Sequence, residues 1–410
     1  MGKYLLLLIS IAVLSCSRHD DGKEQSKHDL NFGVIDSIHS DILDENRKIW
    51  VYSPPDTTQR YPLLVLLDGD AHYFSVAGMI QQLSTVNGNT IYPEMVVVAI
   101  PNTDRTRDLT PYHVTHIFRD TAFAKTSGGG ENFTKFIEKE LLPYVDKKYP
   151  TSLHRTLVGH SFGGLFVVNT LVHHPGLFTN YLAIDPSLWW DEQKFGVDAA
   201  KALAGSKFEN KSLFVAIANT IGKGKQLGDV KDDTASSTVH IRSIIKFNDA
   251  LSAVTNGLTF SAKYYPDDDH SSVPLAAAYD GLRSFFSWYK LEGTDQFFDR
   301  SNQATPQDVI KVVSDHYQNV SKHLGYEVLP PESKINGMGY GFLNNDMRDK
   351  AFACFELNIR NYPQSSNVFD SMGDYYAAQK DTVNAISNYE KALSIQKVEL
   401  TQEKLAKLKR

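Results

Sequence analysis

The run Gly159-His160-Ser161-Phe162-Gly163 sets a serine between two glycines, directly after the apolar stretch Arg155–Val158 and directly before an apolar helical pattern, Phe162–His173. A serine on so sharp a strand-to-helix turn stands out for attack, and side chains two positions to either side would collide with the facing backbone. That requirement accounts for Gly159 and Gly163. The turn aims Ser161 at the N-terminus of the next helix, whose dipole favours developing negative charge. The chemistry this arrangement suits is nucleophilic attack on an acyl carbon, with Ser161 as the nucleophile.

A serine at its ordinary pKa needs a base. With the chain order nucleophile, acid, histidine, the base belongs on a loop after the last strand. Thr259–Tyr265 reads as that strand and Pro266–Pro274 as that loop, so His270 is the expected base; the aspartates Asp267, Asp268 and Asp269 before it read as a solvated loop. The acid is expected after the preceding strand, Ser212–Ala218, where Asp229, Asp232 and Asp233 follow at a distance. Asp233 is the choice among them, to hold His270 in one tautomer and stabilise its imidazolium; its alternative is to cap the helix that follows. Stabilising an oxyanion takes backbone N–H groups from the residue after the nucleophile and from the loop after an earlier strand. These fall on Phe162 and, in Leu67-Asp68-Gly69-Asp70, on Gly69 or Asp70. Such a reaction needs no cofactor and no metal.

The elements that must position these groups follow from periodicity. Lys48–Tyr52, Pro62–Leu67, Met95–Ile100, Arg155–Val158, Tyr181–Ile184, Ser212–Ala218 and Thr259–Tyr265 read as strands, most of them continuously apolar, as in a sheet covered on both faces. Glu131–Lys148, Phe162–His173, Thr238–Thr255 and Leu275–Lys290 alternate with them as helices. The pattern predicts an α/β fold with a mostly parallel sheet. Beyond Thr294 the strands stop. Gln307–His323 is helical, and Met338, Gly339, Phe342, Ala351 and Phe355 recur 34 residues later as Met372, Gly373, Tyr376, Ala385 and Tyr389. A 34-residue period with small and aromatic positions resembles the tetratricopeptide repeat.

Composition excludes some classes. The 410 residues carry a net charge of −6, which lacks the basic balance of a nucleic-acid binder. H-E-x-x-H, the Walker A loop and a G-x-G-x-x-G after a strand are all missing from the sequence. Of the two cysteines, Cys354 lies on an apolar helical face and reads as a small core residue. Cys16 follows a basic start and the apolar run Tyr4–Leu14, too short to cross a bilayer. The segment reads as a secretory signal ending in a lipobox-like Leu14-Ser15-Cys16, with Cys16 the acylated residue. The expected organisation is a signal over 1–16, a flexible tether over 17–28, a catalytic domain over 29–294 and a helical, tetratricopeptide-like domain over 295–410. The protein would then be exported and touch a membrane through its lipid anchor alone.

Several of these stretches together resemble a known family. Phe136–Val145 (F-I-E-K-E-L-L-P-Y-V), Gly159–Phe166 (G-H-S-F-G-G-L-F), Asp185–Trp190 (D-P-S-L-W-W), Leu66–Asp70, Arg107–Pro111 and Asp269–Pro274 are similar to the esterase family that includes enterobactin esterases, esterase D and feruloyl esterases. The resemblance spans about residues 30–290 and implies an α/β-hydrolase fold and a Ser–His–acid hydrolase, with Ser161 and His270 in those roles. It also implies that Trp189 and Trp190 form a substrate-side aromatic pair, the alternative being that both are core residues. Arg107, with Arg105, would meet an anionic acid moiety or else pair with Asp104 and Asp108. Asp185 stands where relatives often carry serine, a change expected to alter the wall beside the nucleophile. The expected substrate is a small-molecule or glycan ester, a siderophore ester or acylated carbohydrate. A rival reading is an inactive envelope scaffold that binds a protein partner through its repeats.

Overall fold

The computed structural model describes residues 32–117, 120–221 and 226–410. The expected signal segment, Cys16 and the tether lie outside the described residues. The strands are β1 (Val34–Ser40), β2 (Glu45–Tyr52), β3 (Tyr61–Leu66), β4 (Val96–Ala99), β5 (Thr151–His160), β6 (Asn180–Ile184), β7 (Lys211–Ala218) and β8 (Leu258–Tyr265). They form one sheet in the order β1-β2-β4-β3-β5-β6-β7-β8. β2 is antiparallel to both β1 and β4, and every pairing from β4 through β8 is parallel. Every residue of β3, β4 and β6 is buried, because helices cover both faces of the sheet centre. This is the predicted α/β-hydrolase architecture. β1 was not among the expected strands: its sequence, Val-Ile-Asp-Ser-Ile-His-Ser, is half polar, and it lies exposed at the sheet edge.

The helices that matter to the site are α1 (Gly69–Ser84), α2 (Phe162–His173), α3 (Lys194–Gly205), α4 (Val239–Ser252) and α5 (Val273–Phe285). The expected helix over 131–148 is present but interrupted by a π-helical turn at Ile137–Leu141. Past the sheet come α6 (Pro306–Leu324), α7 (Glu332–Asn344), α8 (Arg348–Asn361), α9 (Ser366–Ala378), α10 (Thr382–Ile395) and α11 (Glu399–Leu408), an all-helical region. The 34-residue period has a physical counterpart here. A Cβ on Gly339 would lie 2.6 Å from the Phe355 ring, and one on Gly373 would lie 2.5 Å from the Tyr389 ring. Each glycine thus lets the first helix of a pair approach the aromatic ring of the second.

Gly33–Arg410 forms a single compact unit. A second hydrophobic cluster joins Leu291 and Phe297 to Val309, Val313 and Tyr317 of α6 and on to Phe342 and Phe355. On the sheet side, the buried His154 of β5 bonds through Nδ1 to the His323 carbonyl at 3.1 Å, and Trp288 stacks on His323 with ring centroids 4.2 Å apart. The helical region therefore packs directly on the sheet, across the expected boundary at 294. Cys354 is buried in this region, and burial pushes its thiol up to about 12. Among the described residues no helix is long and apolar enough to cross a membrane.

Candidate active site

Parallel strands deliver their C-terminal ends to one edge of the sheet, where loops are free to carry chemistry. β5 ends at His160, and Ser161 follows at φ 59°, ψ −112°, a conformation costly for any residue but glycine. The turn is clamped from three sides: Ser161 N–H donates to Ile184 O, and Ser161 O accepts from Leu165 N and from Ser187 N. A Cβ on Gly159 would lie 2.4 Å from the Gly163 carbonyl, the backbone collision expected, whereas one on Gly163 would approach the Asp68 side chain at 3.2 Å and not the facing backbone. Ser161 Oγ lies 3.3 Å from Ser187 Oγ. Its successor Phe162 opens α2, so the Phe162 N–H is one of the first-turn donors that a helix leaves unpaired.

His270 sits on the predicted loop between β8 and α5. The loop is tied to the end of β7 by Asn219, whose backbone N–H donates to Asp268 O and whose amide donates to Pro266 O. The aspartates shape it: Asp269 Oδ1 accepts from the backbone of Ser271 and Ser272, and Asp268 accepts from Ser272 Oγ. His270 Nδ1 reaches a carboxylate at 2.5 Å, and that carboxylate is Asp185.

The acid expected from the sequence is thus corrected. Asp233 accepts from Ala235 N and Thr238 Oγ1 in the turn that leads into α4, whose own N-cap is Thr238 without a side-chain capping bond, so Asp233 holds that turn rather than capping the helix. Asp229 closes a capping box with Gln226. Asp185 instead follows β6, the strand hydrogen-bonded to β5, and so stands close beside the Ser161 turn. It is a fully buried acceptor rather than a wall residue. Its backbone, at φ 41°, is held by Asp185 N donating to Ala216 O, and its Oδ1 accepts from Ala218 N at 3.0 Å. Oδ2 accepts from His270 and also from His240 Nε2 at 2.8 Å. Burial alone would raise the Asp185 carboxyl; the hydrogen bonds from His240, His270 and Ala218 outweigh it and hold the group far below the usual carboxylate range. One signal for Asp185 was available: it directly follows a buried strand and precedes proline, and the order Ser161, Asp185, His270 keeps the expected chain order. His240 had no local signal.

The other expected residues separate. The Gly69 N–H is taken by Ile100 O at 2.9 Å, which corrects its role as an oxyanion donor. Asp70 N–H lies in the first turn of α1 and is the amide of that loop placed at a helix start. Beside it Asp68 is pinned by Arg105, with Nε to Oδ1 at 2.6 Å, and by Asn102. Arg105 also donates to His160 O and lies over the Phe162 ring, so it braces the Ser161 turn. Arg107 is not at the site: its guanidinium binds Asp108 and Glu45, within a network that includes the buried Arg47. Trp190 is fully buried with its ring edge-on against Phe162, and it borders the same cavity as Trp189. Trp189 is half-buried, 6.0 Å from the Phe162 ring, and lines a cavity of about 430 Å³ with His113, His116 and Val239. Phe123, exposed, stacks on Phe162 with ring centroids 6.2 Å apart.

His160 completes the surroundings. Its ring centroid is 4.5 Å from that of His270. Burial, with His270 and His72 adding positive charge nearby, lowers it to about 4, so it is neutral at ordinary pH. Asp185, His240 and His270 also present ligand-type atoms within 4.8 Å of one another, the one such group among the described residues. The N–O distances within it are those of direct hydrogen bonds.

A family model described as "Putative esterase" matches residues 40–244, half of the chain, taking in Ser161, Asp185 and His240 and ending before His270. The ferri-bacillibactin esterase BesA of Bacillus subtilis is 30% identical over 167 residues, which is 36% of this chain and 56% of that protein. An IroE-like serine hydrolase from Shewanella oneidensis has a TM-score of 0.65 at 29% identity, over 80% of this chain and 99% of that one. An uncharacterised protein from Capnocytophaga ochracea, 17% identical, has a TM-score of 0.60 over 92% of this chain and 99% of its own, a likeness of fold. The chain spans between about half and two thirds of the length of the first curated relatives it matches, at 51%, 56% and 64%.

Proposed function

Since the chain belongs to the Putative esterase family, we propose that it is a serine-dependent carboxylic ester hydrolase acting on siderophore esters. The observation that carries the mechanism is the Asp185 Oδ2–His270 Nδ1 hydrogen bond, set at the same sheet edge as the Ser161 turn. With Nδ1 engaged, Nε2 is the nitrogen of His270 left to take the Ser161 proton. Ser161 Oγ attacks the ester carbonyl, and the Phe162 and Asp70 amides hold the oxyanion. Collapse breaks the C–O bond, and His270 returns the proton to the leaving alcohol. A water molecule, deprotonated by His270, then attacks the acyl-enzyme and releases the acid and free Ser161. Throughout, the ionised Asp185 stabilises the imidazolium that forms and disappears in each step.

The substrate class rests on the relatives, several of which are named as siderophore or enterobactin esterases. The exposed Phe123 and the half-buried Trp189, both packed against Phe162, suit a bulky, partly aromatic ester. Export and acylation at Cys16 belong to the same proposal and would bring the enzyme to the envelope. The test is hydrolysis of p-nitrophenyl acetate and of a panel of ferric-siderophore, feruloyl and acetyl-sugar esters by the purified protein. Ser161→Ala is expected to reduce turnover to background. Turnover retained by that variant rejects the serine mechanism, and preference for acetyl sugars rejects the siderophore assignment.

A further inference from the structure

Asp185 is bonded by two imidazoles, and only one of them belongs to a Ser–His–acid set. His240, in the first turn of α4, places Nε2 2.8 Å from the same Oδ2 that binds His270. The two rings meet edge to face with centroids 5.0 Å apart. An ionised carboxylate only accepts hydrogen bonds, so His240 is the tautomer that carries its proton on Nε2. Its own backbone is fixed by the helix, and its carbonyl accepts from Ser243 Oγ.

We propose that His240 is a positioning residue for ester hydrolysis: it fixes the plane of the Asp185 carboxylate so that Oδ2 faces His270 Nδ1. The proposal rests on the serine mechanism above. Two effects of His240 oppose each other. Its N–H competes with that of His270 for one oxygen, which weakens the charge that Asp185 offers the imidazolium. It also removes the carboxylate's freedom to rotate, because Oδ1 is held by Ala218 N at one end and Oδ2 by His240 at the other. In a fully buried carboxylate the second effect wins: without His240 the group would turn toward other donors or admit water, and the imidazolium would lose its alignment. The imidazolium exists only on the way through the transition state, so the loss falls on kcat and not on KM.

The experiment compares His240→Ala and His240→Gln with the wild-type protein on p-nitrophenyl acetate, with thermal unfolding to verify folding. A glutamine amide places a donor where histidine has Nε2. His240→Ala is expected to lower kcat by about 10- to 100-fold, the range for losing one hydrogen bond to a charged group, with KM within about twofold. His240→Gln is expected to recover most of that loss. Unchanged or raised kcat in His240→Ala overturns the proposal, as does an equal loss in both variants. Ser161→Ala run in parallel keeps the two readings apart: its activity reports on the serine mechanism, whereas the alanine–glutamine difference reports only on His240.

Discussion

Asp185 shows what burial does to a single carboxyl group. Transferred from water with no partner it would take up a proton; surrounded by three N–H donors it stays ionised and presents a fixed charge to His270. Substituting Asp185→Asn keeps the volume and removes the charge. The expected result is a fall in kcat on the order of a thousandfold or more, the scale known for neutralising the acid of such a triad. Asp233→Asn, which alters the turn held at Ala235 and Thr238, is expected to leave kcat within about threefold of wild type, its cost appearing in stability at about 1 kcal/mol. Steady-state kinetics on both variants decides between the two aspartates.

At the scale of the element, glycine carries opposite meanings within one helix. In α7, Gly337 faces open space, whereas a Cβ at Gly339 meets the Phe355 ring. Gly337→Ala is therefore expected to raise stability by about 0.5–1 kcal/mol, through helix propensity alone. Gly339→Ala is expected to lower it by about 1–3 kcal/mol, because the ring or the helix must move to admit the methyl group. Urea unfolding of the two variants measures the difference, and a stabilising Gly339→Ala would show that α7 and α8 are not packed as described. The same logic at Gly373 and Tyr389 explains why the sequence period survives in two successive helix pairs. Element position also explains the acid. Asp185 leaves β6, beside β5, while Asp233 comes well after β7 and holds the turn that leads into α4.

For the whole molecule, the junction between sheet and helical region rests on a histidine that must stay neutral. His154 binds the His323 carbonyl through Nδ1 and meets Asn180 Nδ2 at Nε2, among the rings of Phe286 and Trp288. Burial lowers it from 6.5 to about 4. The unfolded chain therefore binds a proton there near pH 6.5 and the folded chain only near pH 4. Its contribution to stability is complete above pH 6.5 and is lost as the pH falls toward 4. His160 acts in the same direction. The melting temperature is expected to drop over that window, and a His154→Gln variant is expected to show a shallower slope whatever its stability at neutral pH. An equally steep slope in the variant would place the acid sensitivity elsewhere.

What the amino-acid order determined by itself was whatever depends on near neighbours. The Gly159–Gly163 turn, the buried strands and the 34-residue period are all local patterns, since backbone sterics and burial periodicity act over a few residues. Chain order likewise put His270 on the loop after the last strand. Only the tertiary structure decided which carboxylate meets His270, because that depends on which strand ends lie side by side, and β6 is β5's neighbour through hydrogen bonds between residues more than twenty positions apart. It likewise turned Arg107 toward Glu45, spent the Gly69 amide on Ile100, buried Trp190 while leaving Trp189 half-buried, and brought His240 to Asp185 across 55 residues. A side chain's partner is set by the packing of distant elements, and no spacing in the chain records it.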